Sequence, residues 1–572
     1  MHPINSPYPT SDTSDHQEIE WQFEGADRPA VERWILGCPP DSNLAISEGS
    51  TVELVDTYLD TDDWRFFRAG YALRVRQSSD LFEATLKALK RATDGVHRRR
   101  EINEALESAD PDALRSAPGQ VGRWVGVLAG PRELRRLFEV RTRRRTFTVR
   151  GDGAPLGQIA LDETTVPSEP EGEPGRLSRV EIEADSDSTS VLGAFVEEMR
   201  SGCGLQPAKT SKYELGLAVH RLKPVGLPDL GSTTIVGSMS IGEVAFAILR
   251  RNFASFLSHE PGARIGEDPE ELHEMRVASR RLRAAMRLFA DFLPARAERA
   301  RRKLGWVADA LGRVRDLDVQ LEWVKTWAME SAPDDSDAIG ALASLLEGSR
   351  AVARKRMFRA LNSRRYDRFV ASYIKMLRIG PSRRSTLSRL PALSVAPDLV
   401  GRCYSRVRKA AKRIDETSSP REYHELRIRC KRLHYALESI IDLYGERAGK
   451  AIGRLKALQD ILGLHQDAVV AASQLRYLVA AKRRRLPPET AFAMGAVAER
   501  CKGRAAELRG RFPEAYRKIR KPWKRLKGLM EKLRLPLWSY SGAAKAGSPI
   551  NLKKNDGGGE DEHDEKAPGE TG

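Results

Sequence analysis

At 572 residues, 41% apolar and 31% charged, the chain is too long for one hydrophobic core and is expected to form two or three soluble domains. Its net charge of +17 conceals a division: residues 1–220 hold 27 Lys+Arg against 37 Asp+Glu, residues 221–550 hold 66 against 35, and residues 551–572 hold 3 against 7. With no run of about 18 uninterrupted apolar residues a helical membrane span is not expected, and "MHPINSPYPTSDTSDHQ" lacks the charged and apolar regions of a signal peptide.

Five cysteines (Cys38, Cys203, Cys403, Cys430, Cys501) are scattered without metal-ligand spacing. They point to buried thiols in a reducing cytoplasm. Residues 1–16 are polar and rich in Pro and Ser, and are expected to be disordered. From 17 to about 219 the chain alternates with period two, with helical stretches near 29–37 and 189–201. In "QEIEWQFE", Ile19, Trp21 and Phe23 alternate with Glu18, Glu20, Gln22 and Glu24. "ALRVR" sets Leu73 and Val75 against Arg74 and Arg76, and "FEATLK" sets Phe82, Ala84 and Leu86 against Glu83, Thr85 and Lys87. "REIN" puts Glu101 on a face with Arg99, and "VRTR" puts Arg141 and Arg143 on one face. "IALD" offers Asp162, and "RVEIEAD" offers Arg179, Glu181 and Glu183. Each strand has an apolar and a charged face. A sheet with a wet outer face accounts for the alternation. Two Glu-x-Glu strands beside strands of Arg and Lys favour a barrel whose charged faces converge inward. Carboxylate oxygens suit Mg2+ or Mn2+, guanidinium forks suit phosphate, and only a highly charged ligand offsets the cost of such an interior.

In their order, "EIEWQ", "TYLDTDDWRFFRAGYALRVR", "ATLK", "RRREIN", "IALDE", "VEIEAD" and "AKTSKYELGL" resemble the CYTH family of triphosphate tunnel metalloenzymes. The expected domain is 17–222. The resemblance implies a closed, mostly antiparallel eight-stranded β tunnel that hydrolyses or cyclises triphosphates. It implies Glu18, Glu20, Glu181 and Glu183 as ligands of Mg2+ or Mn2+. Arg74, Arg76, Lys87, Arg99, Arg143 and Lys212 become phosphate ligands, and Glu101 and Asp162 orient these or bind metal. The family's opening strand reads Glu-x-Glu-x-Lys, whereas Gln22 stands at the third position here. Losing one charged hydrogen bond there costs roughly 1.5–3 kcal/mol. A slow enzyme, a changed substrate and a module without turnover are all compatible with that. The complete carboxylate set favours retained activity. If the missing charge limits catalysis, Gln22→Lys is expected to raise turnover or affinity.

"KPVGLPDLGSTTIVGS" (223–238) reads as a linker. From 239 to about 535 the pattern is helical, interrupted near 379–398. This part contains a repeat: His273 and His424 are 151 positions apart, as are Arg276 and Arg427, Arg280 and Lys431, Gly312 and Gly463, and Asp316 and Asp467. The copies are expected at about 239–378 and 399–535. In the first, Leu272, Met275, Ser279, Leu282, Met286 and Phe289 form a buried stripe, and His273, Arg276, Arg280, Arg283 and Arg287 run beside it. In the second, His424, Arg427, Lys431 and His434 flank Tyr423, Leu426, Cys430, Leu433, Leu437 and Ile440. An ordinary solvated face mixes signs to gain pairs of roughly 0.2–0.5 kcal/mol each. Two copies that decline this gain point to a shared anion-binding groove, with Lys303 and Arg454 as further contributors.

"LHEMRVASRRLRAAMRLF", "LGRVRDLDV", "YHELRIRCKRLHYALE" and "LQDILGLHQD" resemble the CHAD domain, the conserved histidine α-helical domain. That resemblance implies an all-α domain of two repeated four-helix bundles that binds inorganic polyphosphate. The acidic tail 536–572 is expected to be disordered. The whole reads as a multidomain α+β protein of the cytoplasm, associated with polyphosphate granules. Its expected activity is metal-dependent hydrolysis of a triphosphate, most simply inorganic triphosphate. The alternatives are a non-catalytic polyphosphate-binding or targeting protein and a class IV-type adenylate cyclase. Nucleic acid is not an expected partner, because the stripes lack interleaved aromatics.

Overall fold

The computed structural model describes residues 13–536 apart from 25–26, 38–43, 91, 93–95, 152–153, 169–171, 186–187, 331–332, 383, 416 and 483–485. Cys38, the first twelve residues and nearly all of the acidic tail lie outside the described residues. The chain divides into two compact units between Leu227 and Pro228.

In the first unit the period-two pattern becomes a ring. Its strands are β1 (Thr13–Glu24), β2 (Leu44–Asp60), β3 (Tyr71–Ser78), β4 (Leu81–Ala88), β5 (Val96–Leu106), β6 (Arg135–Gly151), β7 (Ala154–Val166) and β8 (Gly175–Ala184). They pair antiparallel in the order β5-β4-β3-β2-β6-β7-β8-β1, and β1 also pairs with β5, which closes eight strands. A two-residue β9 (Gln206–Pro207) adds to the end of β1. Within the segment 1–16 expected to be disordered, Thr13 to His16 pair with Glu104 to Glu101 of β5. Polar composition did not prevent a strand there, because a ladder partner was available.

The helices around the ring are α1 (Arg28–Leu36), α2 (Arg65–Arg68), α3 (Pro111–Ser116), α4 (Gln120–Ala129), α5 (Thr189–Gly202) and α6 (Lys212–Val219). Trp21, Phe23, Phe147, Val149, Ile159, Leu161, Val180 and Ile182 point outward and are buried with Val31 and Ile35 of α1 and Leu192 and Phe195 of α5. Each such side chain contributes about 1.5–3 kcal/mol. That burial sets the register, since a slip by one residue turns every apolar side chain inward. The alternate residues therefore face the bore. Along those inward faces Tyr58, Ala72, Phe138, Val140 and Val166 form an apolar plug with Tyr213 and Leu217 of α6. Gly216 allows this packing, because a Cβ there would lie 2.0 Å from the Phe138 ring.

The second unit is helical: α7 (Ile241–Ser258), α8 (Glu260–Ile265), α9 (Pro269–Leu288), α10 (Arg296–Met329), α11 (Pro333–Leu361), α12 (Arg364–Ile379), α13 (Ala392–Ala411), α14 (Pro420–Glu438), α15 (Ile441–Lys482) and α16 (Pro488–Lys532). The 151-residue register relates α7 to α13 and α9 to α14 at their first residues, and α10 and α11 to α15 and α16. Short α8 is an addition to the first copy, whereas α12 corresponds in position to the last part of the long α16. The helix starts repeat too. Asp268 and Ser419 accept backbone N–H groups as caps, and Pro269 and Pro420 fill the first helical position. The copies meet in a local two-fold arrangement: Ile241 N donates to Leu390 O at 2.8 Å, and Ala392 N donates to Met239 O at 3.0 Å. Each donor and each acceptor is 151 positions from its counterpart. The interruption near 379–398 is thus shorter than expected, with α13 under way from Ala392. In the linker sequence, Leu230 and Ile235 are buried in the core of the second unit. The far ends of the long hairpins also touch, where Val324, Ile339 and Leu342 pack with Leu475, Met494 and Val497. Among the described residues no helix is long and apolar enough to cross a membrane.

Candidate active site and anion-binding groove

The inward faces of the ring carry charge on every side. Register places Glu20 of β1 opposite Glu183 of β8, and Gln22 opposite Glu181. On the other flank of β1, Glu18 lies opposite Arg99 of β5. The four carboxylates singled out in the sequence are therefore neighbours on two adjacent strands. The cations face them. Lys87 Nζ lies 2.6 Å from Glu18, 3.4 Å from Glu20 and 3.2 Å from Glu101. Arg99 is hydrogen-bonded to Glu20. Arg74 reaches Glu101 at 3.4 Å and Asp56 at 3.6 Å. Arg76 holds Asp56 with two hydrogen bonds of 2.7 and 2.9 Å. Lys212, the first residue of α6, enters beside the plug and meets Asp162 at 2.5 Å and Glu181 at 3.1 Å.

Arg143 does not join them. It is more than half exposed and lies outside the ring near Glu53 and Glu163 at 3.8 and 4.0 Å. Arg144 occupies the bore instead, with bonds of 2.8 and 2.7 Å to Asp162 and a 2.5 Å contact to Glu181. The reason is parity. Arg143 shares its face with Phe147 and Val149, which are buried outside the ring, so Arg144 must point inward. Those two apolar residues were the signal in the sequence that identified the correct arginine. Asp56, fully buried between Arg74 and Arg76, was also missed. It sits on the same face as Tyr58, two residues away.

The electrostatics follow from this pairing. Burial opposes ionisation of Asp56, yet Arg76 and Arg74 hold its carboxyl well below the usual carboxylate range. Glu101 is likewise depressed against burial by Lys87 and Arg74, and Glu181 by Lys212, Arg144 and Arg179. Glu183 differs: it reaches water inside the bore, but reduced hydration and the neighbouring Glu18 charge raise its pKa. It has no cation within 4.0 Å among the described residues. Four carboxylates on neighbouring strands, one of them repelled by another, suit a hard divalent cation. At present three of them are held by lysine or arginine. Among the described residues, three possible ligand atoms within 4.8 Å of one another are found at Glu270, His273 and Glu274 of α9.

In the helical unit the two stripes come together. Arg276 of α9 reaches Asp316 of α10 at 3.3 Å. Burial raises the pKa of Asp316, against Arg276, Arg280, Arg315 and Lys431. Its counterpart Asp467 is raised in the same way, against Arg427 and Lys431. Lys431 of the second copy thus acts on the acids of both copies, and Arg281 of α9 reaches Glu438 of α14, so the basic stripes of the two copies approach each other. Arg315 of α10 acts on Asp316 as well, and the second copy has Gln466 at its position. His273, Arg276, Arg280, Arg283, His424, Arg427, Lys431 and His434 are half-buried, whereas Arg287, Lys303 and Arg454 are exposed. The copies are not equivalent. Glu438 accepts from Arg281 at 3.0 Å and lies 3.3 Å from His434. The first copy has Arg287 at the position of Glu438.

The chain matches the CYTH domain family over residues 16–213 and the CHAD domain family over 247–476. Its fold is similar to that of the CHAD domain from the plant Ricinus communis, at 26% identity over 50% of this chain and 94% of that one, with a TM-score of 0.42. It is also similar to PptA from Streptomyces chartreusis, at 19% identity over 49% and 99%, TM-score 0.40. A putative adenylyl cyclase from Hippeastrum, described as having a dominant triphosphatase activity, aligns at 18% identity over 36% and 96%, TM-score 0.28.

Proposed function

From a chain that carries a CYTH domain followed by a CHAD domain, we propose that the β tunnel hydrolyses a triphosphate, most simply inorganic triphosphate, and that the helical unit binds inorganic polyphosphate. The observation that carries the first part is the meeting of Glu18, Glu20, Glu181 and Glu183 with a ring of six inward cations in one water-accessible bore plugged by apolar residues at α6. Glu18, Glu20, Glu181 and Glu183 are the residues that would hold Mg2+ or Mn2+. Such an ion, when bound, supplies charge neutralisation and polarisation of the phosphoryl group. Arg74, Arg76, Lys87, Arg99, Arg144 and Lys212 then exchange carboxylate partners for phosphate oxygens, which keeps every buried charge compensated. Glu101 and Asp162 hold these cations in place. The plug keeps water out of one end, so that the negative charge developing in the transition state is met by fixed donors in a low dielectric.

Convergence of both stripes on Asp316, Asp467 and Lys431 supports the second part. A polymer with one charge per phosphate relieves the mutual repulsion of these cations. Its binding releases counterions and weakens steeply with salt, as polyanion binding does. The cytoplasm, and polyphosphate granules within it, are the setting that this reading implies. The test is phosphate release by the purified chain with Mg2+ or Mn2+, offering triphosphate, ATP, thiamine triphosphate and long polyphosphate. Triphosphate is expected to be the best substrate. Turnover of none of the four overturns the enzymatic reading.

A further inference from the structure

Arg179 is the anomaly of the tunnel. It is 2% exposed and stands on the inward face of β8, two residues before Glu181. Each of the other six inward cations has a carboxylate within 4.0 Å. Among the described residues Arg179 has none. Its guanidinium donates instead to neutral oxygens: Nη2 to Thr210 O, just before α6, and Nη1 to Gln22 Oε1 at 3.2 Å. Its Nε is buried without a partner. A buried charge with no carboxylate in direct contact is costly in general, so Arg179, which acts on Glu181 only from beyond 4.0 Å, calls for a further role.

Gln22 shows what the use is. Arginine only donates, so the Gln22 carbonyl must face it, and the amide nitrogen then faces Glu20 Oε1 at 2.9 Å. That nitrogen carries a second N–H. The side chain therefore links a cation without a direct carboxylate partner to the proposed metal carboxylate and keeps one donor for a ligand. We propose that Arg179 is a positioning residue for the triphosphate: it supplies, from the second layer of the tunnel wall, the positive charge that residue 22 lacks, and Gln22 presents that charge to a phosphate oxygen. The inference rests on the tunnel being a triphosphate site. It also reverses the expectation for Gln22→Lys. A lysine ammonium at 22 faces a guanidinium instead of replacing a missing charge, and both groups can only donate.

The experiment compares the full-length chain with Gln22→Lys, Arg179→Gln, the double variant and Arg179→Lys. Tripolyphosphate affinity is measured by calorimetry with Mg2+, and thermal unfolding is followed without ligand. Arg179→Gln is expected to weaken tripolyphosphate about tenfold or more, the usual consequence of losing a charged hydrogen bond. Gln22→Lys is expected to weaken binding and to lower Tm. The double variant, which again has one cation in the pair, is expected to recover most of both losses, and Arg179→Lys to retain part of the affinity. A purely structural role for Arg179 predicts a lower Tm with no recovery in the double variant. Unchanged affinity in Arg179→Gln, or losses that simply add in the double variant, overturns this inference while leaving the proposed function standing. A wild-type chain that binds no tripolyphosphate overturns both.

Discussion

The tunnel and the groove both gather cations, but they neutralise them differently. In the tunnel six of seven inward cations already sit against carboxylates, and Asp56, Glu101 and Glu181 are ionised far more readily than ordinary acids. In the groove the cations outnumber the acids, and Asp316 and Asp467 are harder to ionise than usual despite them. The difference is one of hydration. A ring closed by eight strands removes water from most of its charges, which favours direct pairing. A groove between helices leaves long side chains half in water, where repulsion is screened and a polyanion can still arrive. On the proposed function, the tunnel exchanges one set of partners for another, and the groove receives a polyanion.

The comparison can be broken most sharply at the metal carboxylates. Glu20→Gln is expected to lower triphosphate turnover at least about a hundredfold, the scale seen when one fixed electrostatic contributor to a transition state is removed, with an unchanged circular dichroism spectrum. Turnover at the wild-type rate removes the carboxylate assignment. Next comes Asp56→Asn, which strands Arg76 in the wall and leaves Arg74 with Glu101. Breaking a buried pair by removing one partner costs about 3–5 kcal/mol, measurable by denaturant unfolding of the first unit. Tripolyphosphate is expected to return part of that stability, because its oxygens replace the missing carboxylate.

In the groove, Arg276→Ala with Arg280→Ala, and separately Arg427→Ala with Lys431→Ala, are expected to weaken long-chain polyphosphate strongly. Each pair is also expected to flatten the slope of log affinity against log salt by up to about two. Stability is expected to change little, since the apolar stripes are untouched. If neither pair alters affinity or slope, the stripes are ordinary solvated faces.

Acid separates the regions further. Asp56 and Glu101 have folded pKa values below their ordinary 3.8 and 4.5. The unfolded chain therefore takes up their protons first, and their stabilisation, complete above about pH 5, is lost as pH falls toward the folded values. The Tm of the first unit is expected to drop across that window. The smallest effect belongs to His273, whose pKa is lowered by burial and by Arg315 and Arg276. Polyphosphate favours its protonated form, so affinity is expected to rise on acidification, with the midpoint below pH 6.5. His273→Gln is expected to reduce that rise, and an unchanged pH profile removes the histidine from the groove.

Much of this was legible from residue order alone. Period two along β1, β3, β4 and β8 put Glu18, Glu20, Arg74, Arg76, Lys87, Glu181 and Glu183 on inward faces, because a strand's side chains alternate whatever surrounds it. The 151-residue register identified the paired helices and their basic stripes, since a helix sets its stripes by its own 3.6-residue period. Tertiary structure decided what local periodicity leaves open. Arg144 faces the bore instead of Arg143 because Phe147 and Val149, farther along β6, are buried against helices from elsewhere in the chain. Gln22 touches Arg179, 157 positions away, because β1 pairs with β8. Lys431 acts on Asp316 because two copies of one helical unit close on each other. Periodicity acts between near neighbours in sequence and can be read there. The partner of a buried charge is chosen by chain segments that meet only when the ring closes and the repeats dock.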